Sequence, residues 1–135
     1  MNYTEVGEYR MGKLLGQGAY AMVREAVHIE TGFMVAMKIY DKYKLHQNQN
    51  IKKSVQREIR VLSLLSQVSA EAHELLPYGQ SSAKLPSSQH GLRNDSCAGG
   101  HPSIMKLYDA IDTQRQLYLV LENCQGKMLH TVVKE

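Results

Sequence analysis

Tryptophan is absent from this sequence, phenylalanine occurs once and cysteine twice. Cys97 and Cys124 stand far apart and form no C-x-x-C pair, which argues against a disulfide scaffold or a zinc site and fits a reducing compartment, cytoplasmic or nuclear. No apolar run approaches the roughly 20 residues that a helical membrane span needs. The start, Met1-Asn2-Tyr3-Thr4-Glu5, has neither the basic residues nor the apolar stretch of a secretory signal. Charge of one sign is also scarce. Sixteen Lys and Arg stand against thirteen Asp and Glu, a formal charge of +3, too mild to point to nucleic acid or an anionic membrane as a partner. With 43% hydrophobic residues and three prolines, the 135 residues can form about one globular domain.

The composition changes once along the chain. Residues 67–100 hold six serines, four glycines and two prolines, with Tyr78 the one aromatic and no sustained periodicity. A segment of this kind inside a domain is expected to be a disordered insert. The flanks, 1–66 and 101–135, read as ordered, with 1–8 an N-terminal extension.

In the first flank, Tyr9 to Leu15 is a mixed run ending in Gly16-Gln17-Gly18. Ala21 to Ile29 fits a strand or a helix, because Val23, Ala26 and Val27 also suit a helix face. Glu30-Thr31-Gly32 is a turn signal and Phe33 to Tyr40 reads as a strand. A basic stretch with Lys42, Lys44, Lys52 and Lys53 is expected to be a solvated face. Lys52 to Ser66 is the clearest helix, with Val55, Ile59, Leu62 and Leu65 as its apolar stripe. Past the insert, Ile104–Tyr108 and Gln116–Leu121 look like strands with Asp112-Thr113-Gln114 at the turn between them, and Gly126 to Val133 could begin a short helix.

Gly16-Gln17-Gly18-Ala19-Tyr20-Ala21-Met22-Val23 fits the pattern G-x-G-x-x-G/A-x-V. Glycines there let backbone approach a phosphate closely and adopt conformations that a Cβ forbids. A plain hairpin turn carries the same two glycines. Two nucleotide-binding classes share the pattern. A dinucleotide-binding βαβ unit needs a strand before it, a helix after it and an acidic residue about 20 positions on. Residues 9–15, 19–30 and Asp41 could supply all three. Against this, Arg10-Met11-Gly12-Lys13 is not the continuous apolar run of a strand covered on both faces. Lys38 would also put an unpaired ammonium inside such a sheet.

The second class pairs the hairpin with a V-A-I-K strand whose lysine holds phosphates and pairs with a helix glutamate. Val35-Ala36-Met37-Lys38 matches with Met for Ile. Glu58 is the candidate carboxylate. Ser54, Val55, Val61 and Leu62 lie three and four residues away from it, none is cationic, and no ordinary intrahelical pair satisfies it. Its partner is therefore expected from outside the helix, unless it is simply solvated between Arg57 and Arg60.

These residues resemble the N-terminal lobe of a eukaryotic protein kinase. The motifs are the glycine loop, Val35-Ala36-Met37-Lys38, the Arg57-Glu58-Ile59 helix, His101-Pro102-Ser103-Ile104-Met105-Lys106-Leu107 and Leu117-Tyr118-Leu119-Val120-Leu121-Glu122, in the family's order over 9–66 and 101–134. The calcium/calmodulin-dependent and AMP-activated Ser/Thr group is most similar, through Lys38-Ile39-Tyr40-Asp41-Lys42 and Leu107-Tyr108-Asp109-Ala110-Ile111-Asp112. The resemblance implies an α+β fold, a five-stranded antiparallel sheet with one main helix. It implies ATP as cofactor and a protein hydroxyl as substrate. Backbone around Gly16, Gln17, Gly18, Ala19, Tyr20 and Ala21 would cover the phosphates, and Val23 and Ala36 would sandwich the adenine. Lys38, fixed by Glu58, would hold the α- and β-phosphates. Leu121 would limit the depth of the adenine pocket, and the backbones of Glu122 and Cys124 would bond adenine. Leu62 and Leu107 match the family's regulatory hydrophobic spine.

Three departures bear on this. Ala21 replaces the third glycine, Lys127 falls where the family often has an acidic residue near the ribose, and 67–100 interrupts a usually short connection. Ser66 could join His101 with the family's spacing, so the insert is either a lineage-specific loop or a gene-model error. No His-Arg-Asp, Asp-Phe-Gly or Ala-Pro-Glu occurs in the chain. The resemblance thus implies that the base and the Mg²⁺ ligands belong to an absent C-terminal lobe, and that the isolated chain transfers no phosphate. A non-catalytic kinase-like binding or regulatory module is the alternative.

Overall fold

The strand Met34–Asp41 (β4) lies near the middle of a six-stranded sheet, and its position follows from its composition. Six of its eight residues are apolar or aromatic with side chains on both faces, which suits a strand covered on both sides. A computed structural model describes residues 4–66 and 101–134 of the chain; the expected insert 67–100 lies outside the described residues. The other strands are Glu5–Val6 (β1), Tyr9–Gln17 (β2), Ala21–His28 (β3), Leu107–Asp112 (β5) and Gln116–Glu122 (β6). Spatial order is β1-β2-β3-β4-β6-β5, and every neighbouring pair is antiparallel.

The sheet has six strands rather than five because Glu5–Val6, inside the expected N-terminal extension, folds back on Tyr9–Arg10. The left-handed Gly7 (φ 57°) makes that reversal possible. The ambiguous stretch after the glycine loop is a strand. Ala21 and Val23 face one side of the sheet, while Met22 and Ala26 face the other. Pairing with β2 and β4 along both edges satisfies its backbone and overrides its helical propensity. β5 starts three residues later than the sequence predicts and runs through Asp112, which pairs with Leu117 rather than sitting in the turn.

Two apolar clusters occupy the two faces. On one, Ala36 and Tyr40 of β4 and Leu117, Leu119 and Leu121 of β6 pack with Leu107, Leu45, Val55 and Ile59. On the other, Val35, Met37 and Ile39 meet Met11, Ala26, Tyr118 and Val120. Val6 and Tyr9 from one end of the strand order share this second cluster with Tyr108 and Ile111 from the other end. The sheet is therefore curled, as strong right-handed strand twist allows.

The first cluster is covered by helix. Lys42–Gln47 (α1) begins where Asp41 caps the Tyr43 N–H at 2.9 Å. This short helix was not expected in the basic stretch, and its Lys42 forms an ion pair with Asp112 of β5. Asn48 ends α1 and starts Gln49–Leu65 (α2), accepting from the N–H groups of Asn50 and Ile51. Val55, Ile59 and Ser63 are the buried positions of α2, whereas Leu65, expected in the apolar stripe, is 41% exposed. Ser66 Oγ accepts the N–H of Leu107 at 2.8 Å, tying the end of α2 to the start of β5. A short helix, Leu129–Val133 (α3), follows β6 within the stretch 126–133 where one was expected, so among the described residues α2 is the main helix and α1 and α3 are short.

Candidate functional site

Alternation along β4 decides which side chains share a surface. Even positions point to the α2 side of the sheet, so Lys38 lies between Ala36 and Tyr40 on that face. Cross-strand register brings Val23 of β3 opposite Lys38, Leu121 of β6 opposite Ala36, and Leu119 opposite Lys38. Val23, Ala36 and Leu121 belong to one apolar cluster, with Leu121 4% exposed and Ala36 8%.

α2 crosses this face and sets Glu58 beside Lys38. The ammonium donates to Glu58 Oε1 at 2.7 Å, and both side chains remain part-exposed. The external partner expected for Glu58 is thus found. The second carboxylate oxygen, Oε2, accepts from the Tyr40 hydroxyl at 2.8 Å. Tyr40 was not among the expected site residues. Its signal was its place two residues after Lys38 in a strand, which puts both on one face.

Burial pulls the Lys38 ammonium toward neutrality, but hydrogen bonding with Glu58 and Tyr40 and the field of Glu58 outweigh it and leave its pKa above the ordinary value. The Tyr40 phenol is pushed up to about 12, first by burial and then by Glu58, with Lys38 opposing. Near neutral pH Lys38 is an ammonium and Tyr40 a neutral hydroxyl donor.

The glycine hairpin joins β2 to β3. Gly16 and Gln17 end β2, and Gly18 to Tyr20 form the exposed turn, closed by the Gly18 N–H to the Ala21 carbonyl at 2.8 Å. Neither Gly16 nor Gly18 has a positive φ, so the turn does not use the conformational freedom expected of them. A Cβ on Gly16 would meet nothing within 4 Å, and one on Gly18 would touch the Ala21 carbonyl at an ordinary 3.6 Å. The fold alone therefore requires glycine at neither position. Gly12 differs: its Cβ would press on the Glu25 carbonyl at 3.1 Å, and its own carbonyl takes two hydrogen bonds from Arg24 across the irregular register of β2.

At the far end of β6, the Glu122 N–H donates to the Lys106 carbonyl at 2.8 Å, and its side chain accepts the Lys106 N–H at 3.1 Å. Cys124, just beyond, is a free and exposed thiol. Leu107 is a buried member of the helix-side cluster and Leu62 packs against that cluster, part-buried. Among the described residues, no group of three or more His, Cys, Asp or Glu could hold a metal ion, and no helix is long and apolar enough to cross a membrane.

Antiparallel pairing of β2 with β3 excludes the dinucleotide-binding βαβ unit, because a strand stands where that unit needs its helix. The comparisons with known proteins agree with the remaining class. Over 131 residues the chain is 28% identical to the hormonally up-regulated neu tumor-associated kinase homolog A of Xenopus laevis, covering 96% of this chain and 14% of that protein. It is 30% identical over 127 residues to the Arabidopsis thaliana SNF1-related protein kinase catalytic subunit alpha KIN12, covering 94% of this chain and 19% of the relative. With the Arabidopsis CBL-interacting serine/threonine-protein kinase 26 it shares 31% over 131 residues, 96% of this chain and 22% of that kinase. The curated homologues of this chain are Ser/Thr protein kinases.

The chain spans about a fifth or less of the length of these kinases. The curled antiparallel sheet with its covering helix is consistent with a kinase N-lobe, with six strands in place of five. No protein-family profile matches the chain.

Proposed function

We propose that this chain is the ATP-holding lobe of a Ser/Thr protein kinase, a family whose full-length members transfer phosphate from ATP to protein hydroxyls. One observation carries the reading. The Lys38–Glu58 pair shares a sheet face with Val23, Ala36 and Leu121, beside a hairpin whose glycines the fold itself does not require. A Gly16 with open space around its Cβ position suits a loop that a phosphate must approach closely.

In this reading, the backbone of the Gly16–Ala21 hairpin covers the phosphates, with the Gly18 N–H retained by the Ala21 carbonyl, and Lys38 binds the α- and β-phosphates as a point charge, oriented by Glu58. Val23 and Ala36 hold the adenine between them, and Leu121 closes the pocket behind it. The Glu122 N–H is already bound to Lys106, so its share of adenine recognition falls to the carbonyl, with the Cys124 backbone beside it. ATP, when bound, supplies the phosphoryl group for transfer to a protein hydroxyl. Mg²⁺ ligands and the catalytic base are assigned to a C-terminal lobe outside these residues.

The test is a thermal-shift titration of the 135-residue chain with ATP. Stabilisation that rises with nucleotide concentration and vanishes in Lys38→Ala is expected, by mass action on the folded state. No stabilisation in the wild type overturns the ATP site. The isolated chain is expected to label no protein substrate, and detectable transfer would refute that part.

A further inference from the structure

An ionised carboxylate offers two oxygens, either of which can accept. Here both oxygens of Glu58 are taken from the same strand, Oε1 by Lys38 and Oε2 by Tyr40. The two donors differ in character. Lys38 ends a flexible stem and is part-exposed, whereas Tyr40 is 3% exposed and wedged among Leu45, Val55, Ile59 and Leu117. A phenol on a buried ring loses little conformational freedom when it donates, and a hydrogen bond to a charged group is among the stronger ones. The Lys38 ammonium also lies 5.3 Å from the Tyr40 ring centroid, so one side chain touches both members of the pair.

We infer that Tyr40 is a positioning residue that clamps Glu58 through its hydroxyl, holding the carboxylate against Lys38 before any nucleotide arrives. The clamp joins the middle of α2 to the sheet at the height of Lys38, so the helix is seated by the chain's own residues. The value of this for nucleotide binding rests on the ATP-site reading above; the contact itself does not.

The experiment follows the Lys38 ammonium by ¹⁵N NMR in the nucleotide-free full chain, comparing wild type, Tyr40→Phe and Tyr40→Leu. Phe keeps the ring and its packing and removes only the hydroxyl; Leu removes both. Tyr40→Phe is expected to move the Lys38 Nζ resonance and to speed its proton exchange roughly tenfold, the factor that loss of one charge-assisted hydrogen bond implies, while the melting temperature stays near that of wild type. A purely structural Tyr40 predicts the opposite division: Phe silent, and the change appearing only in Leu. Unchanged resonance and exchange in Tyr40→Phe overturn the clamp. Glu58→Ala approaches the same contact from its other end and is expected to shift the Tyr40 ¹³Cζ resonance at neutral pH; an unmoved resonance likewise overturns it. ATP titration of the same samples separates the two ideas. A clamp seen by NMR in a wild type that binds no ATP leaves the inference standing and removes the ATP site, whereas ATP binding with equal affinity in wild type and Tyr40→Phe removes the clamp's part in nucleotide binding.

Discussion

Lys38 Nζ and Glu58 Oε1 lie 2.7 Å apart although 20 residues separate them along the chain. The pair links the central strand to the covering helix and sits on the face that carries Val23, Ala36 and Leu119.

Replacing Lys38 by Met separates function from stability. The ion pair is part-exposed, so its loss is expected to cost no more than about 1 kcal/mol in urea denaturation. ATP-dependent thermal stabilisation is expected to disappear. A variant that keeps the full nucleotide shift would remove Lys38 from the phosphate site.

Glycine substitutions should divide into two classes. Gly16→Ala meets no neighbour within 4 Å and Gly18→Ala meets an ordinary contact at 3.6 Å, so each is expected to change stability by less than about 1 kcal/mol while weakening ATP binding. Gly12→Ala would press a Cβ onto the backbone of Glu25 at 3.1 Å, in the strand paired with it. It is expected to lower stability by about 1–3 kcal/mol. Equal thermal shifts for all three would contradict the assignment.

The alkaline limb of stability has a definite sign. The phenols of Tyr9 and Tyr40 are both pushed up to about 12 from an ordinary 10.0, Tyr9 by burial and then by Asp109 and Glu8. A raised folded-state pKa contributes stability that is complete below the unfolded value and is lost as pH climbs through the folded one. Lys38, also raised, acts in the same direction above its ordinary 10.5. Urea midpoints are thus expected to vary little from these groups near neutrality and to fall from about pH 10 toward pH 12. Tyr9→Phe should flatten that fall; an identical slope in the variant would refute it.

Leu119 of β6 is fully buried in the helix-side cluster, opposite Lys38 in the sheet register. Leu119→Ala is expected to destabilise the chain by about 2–5 kcal/mol through lost transfer energy and the cavity left behind. A cost below about 1 kcal/mol, measured by chemical denaturation, would mean that the helix-side core collapses around the gap.

The site was legible to the extent that it is written in local pattern. The lack of a cation near Glu58 on its own helix called for a partner from elsewhere or for solvent, and it was the motif order, a glycine hairpin followed by Val35-Ala36-Met37-Lys38, that pointed to Lys38. The glycine hairpin was readable too, although the reason for its glycines changed once their φ values and empty surroundings were known. Tyr40 escaped because a tyrosine in an apolar strand looks like core. That it is core at the ring and a donor at the hydroxyl depends on the height at which α2 crosses the sheet.

What the amino-acid order determined by itself was periodicity, turn chemistry and the succession of motifs, since these depend on residues near each other in the chain. The tertiary structure alone decided the rest. It made 21–28 a strand, because backbone groups paired on both edges outweigh a weak helical preference. It added Glu5–Val6 as a sixth strand, and curled the sheet until Val6 and Tyr9 met Tyr108 and Ile111. Apolar side chains about a hundred residues apart have no local signature in sequence. They find each other only when twist closes a sheet around its own core.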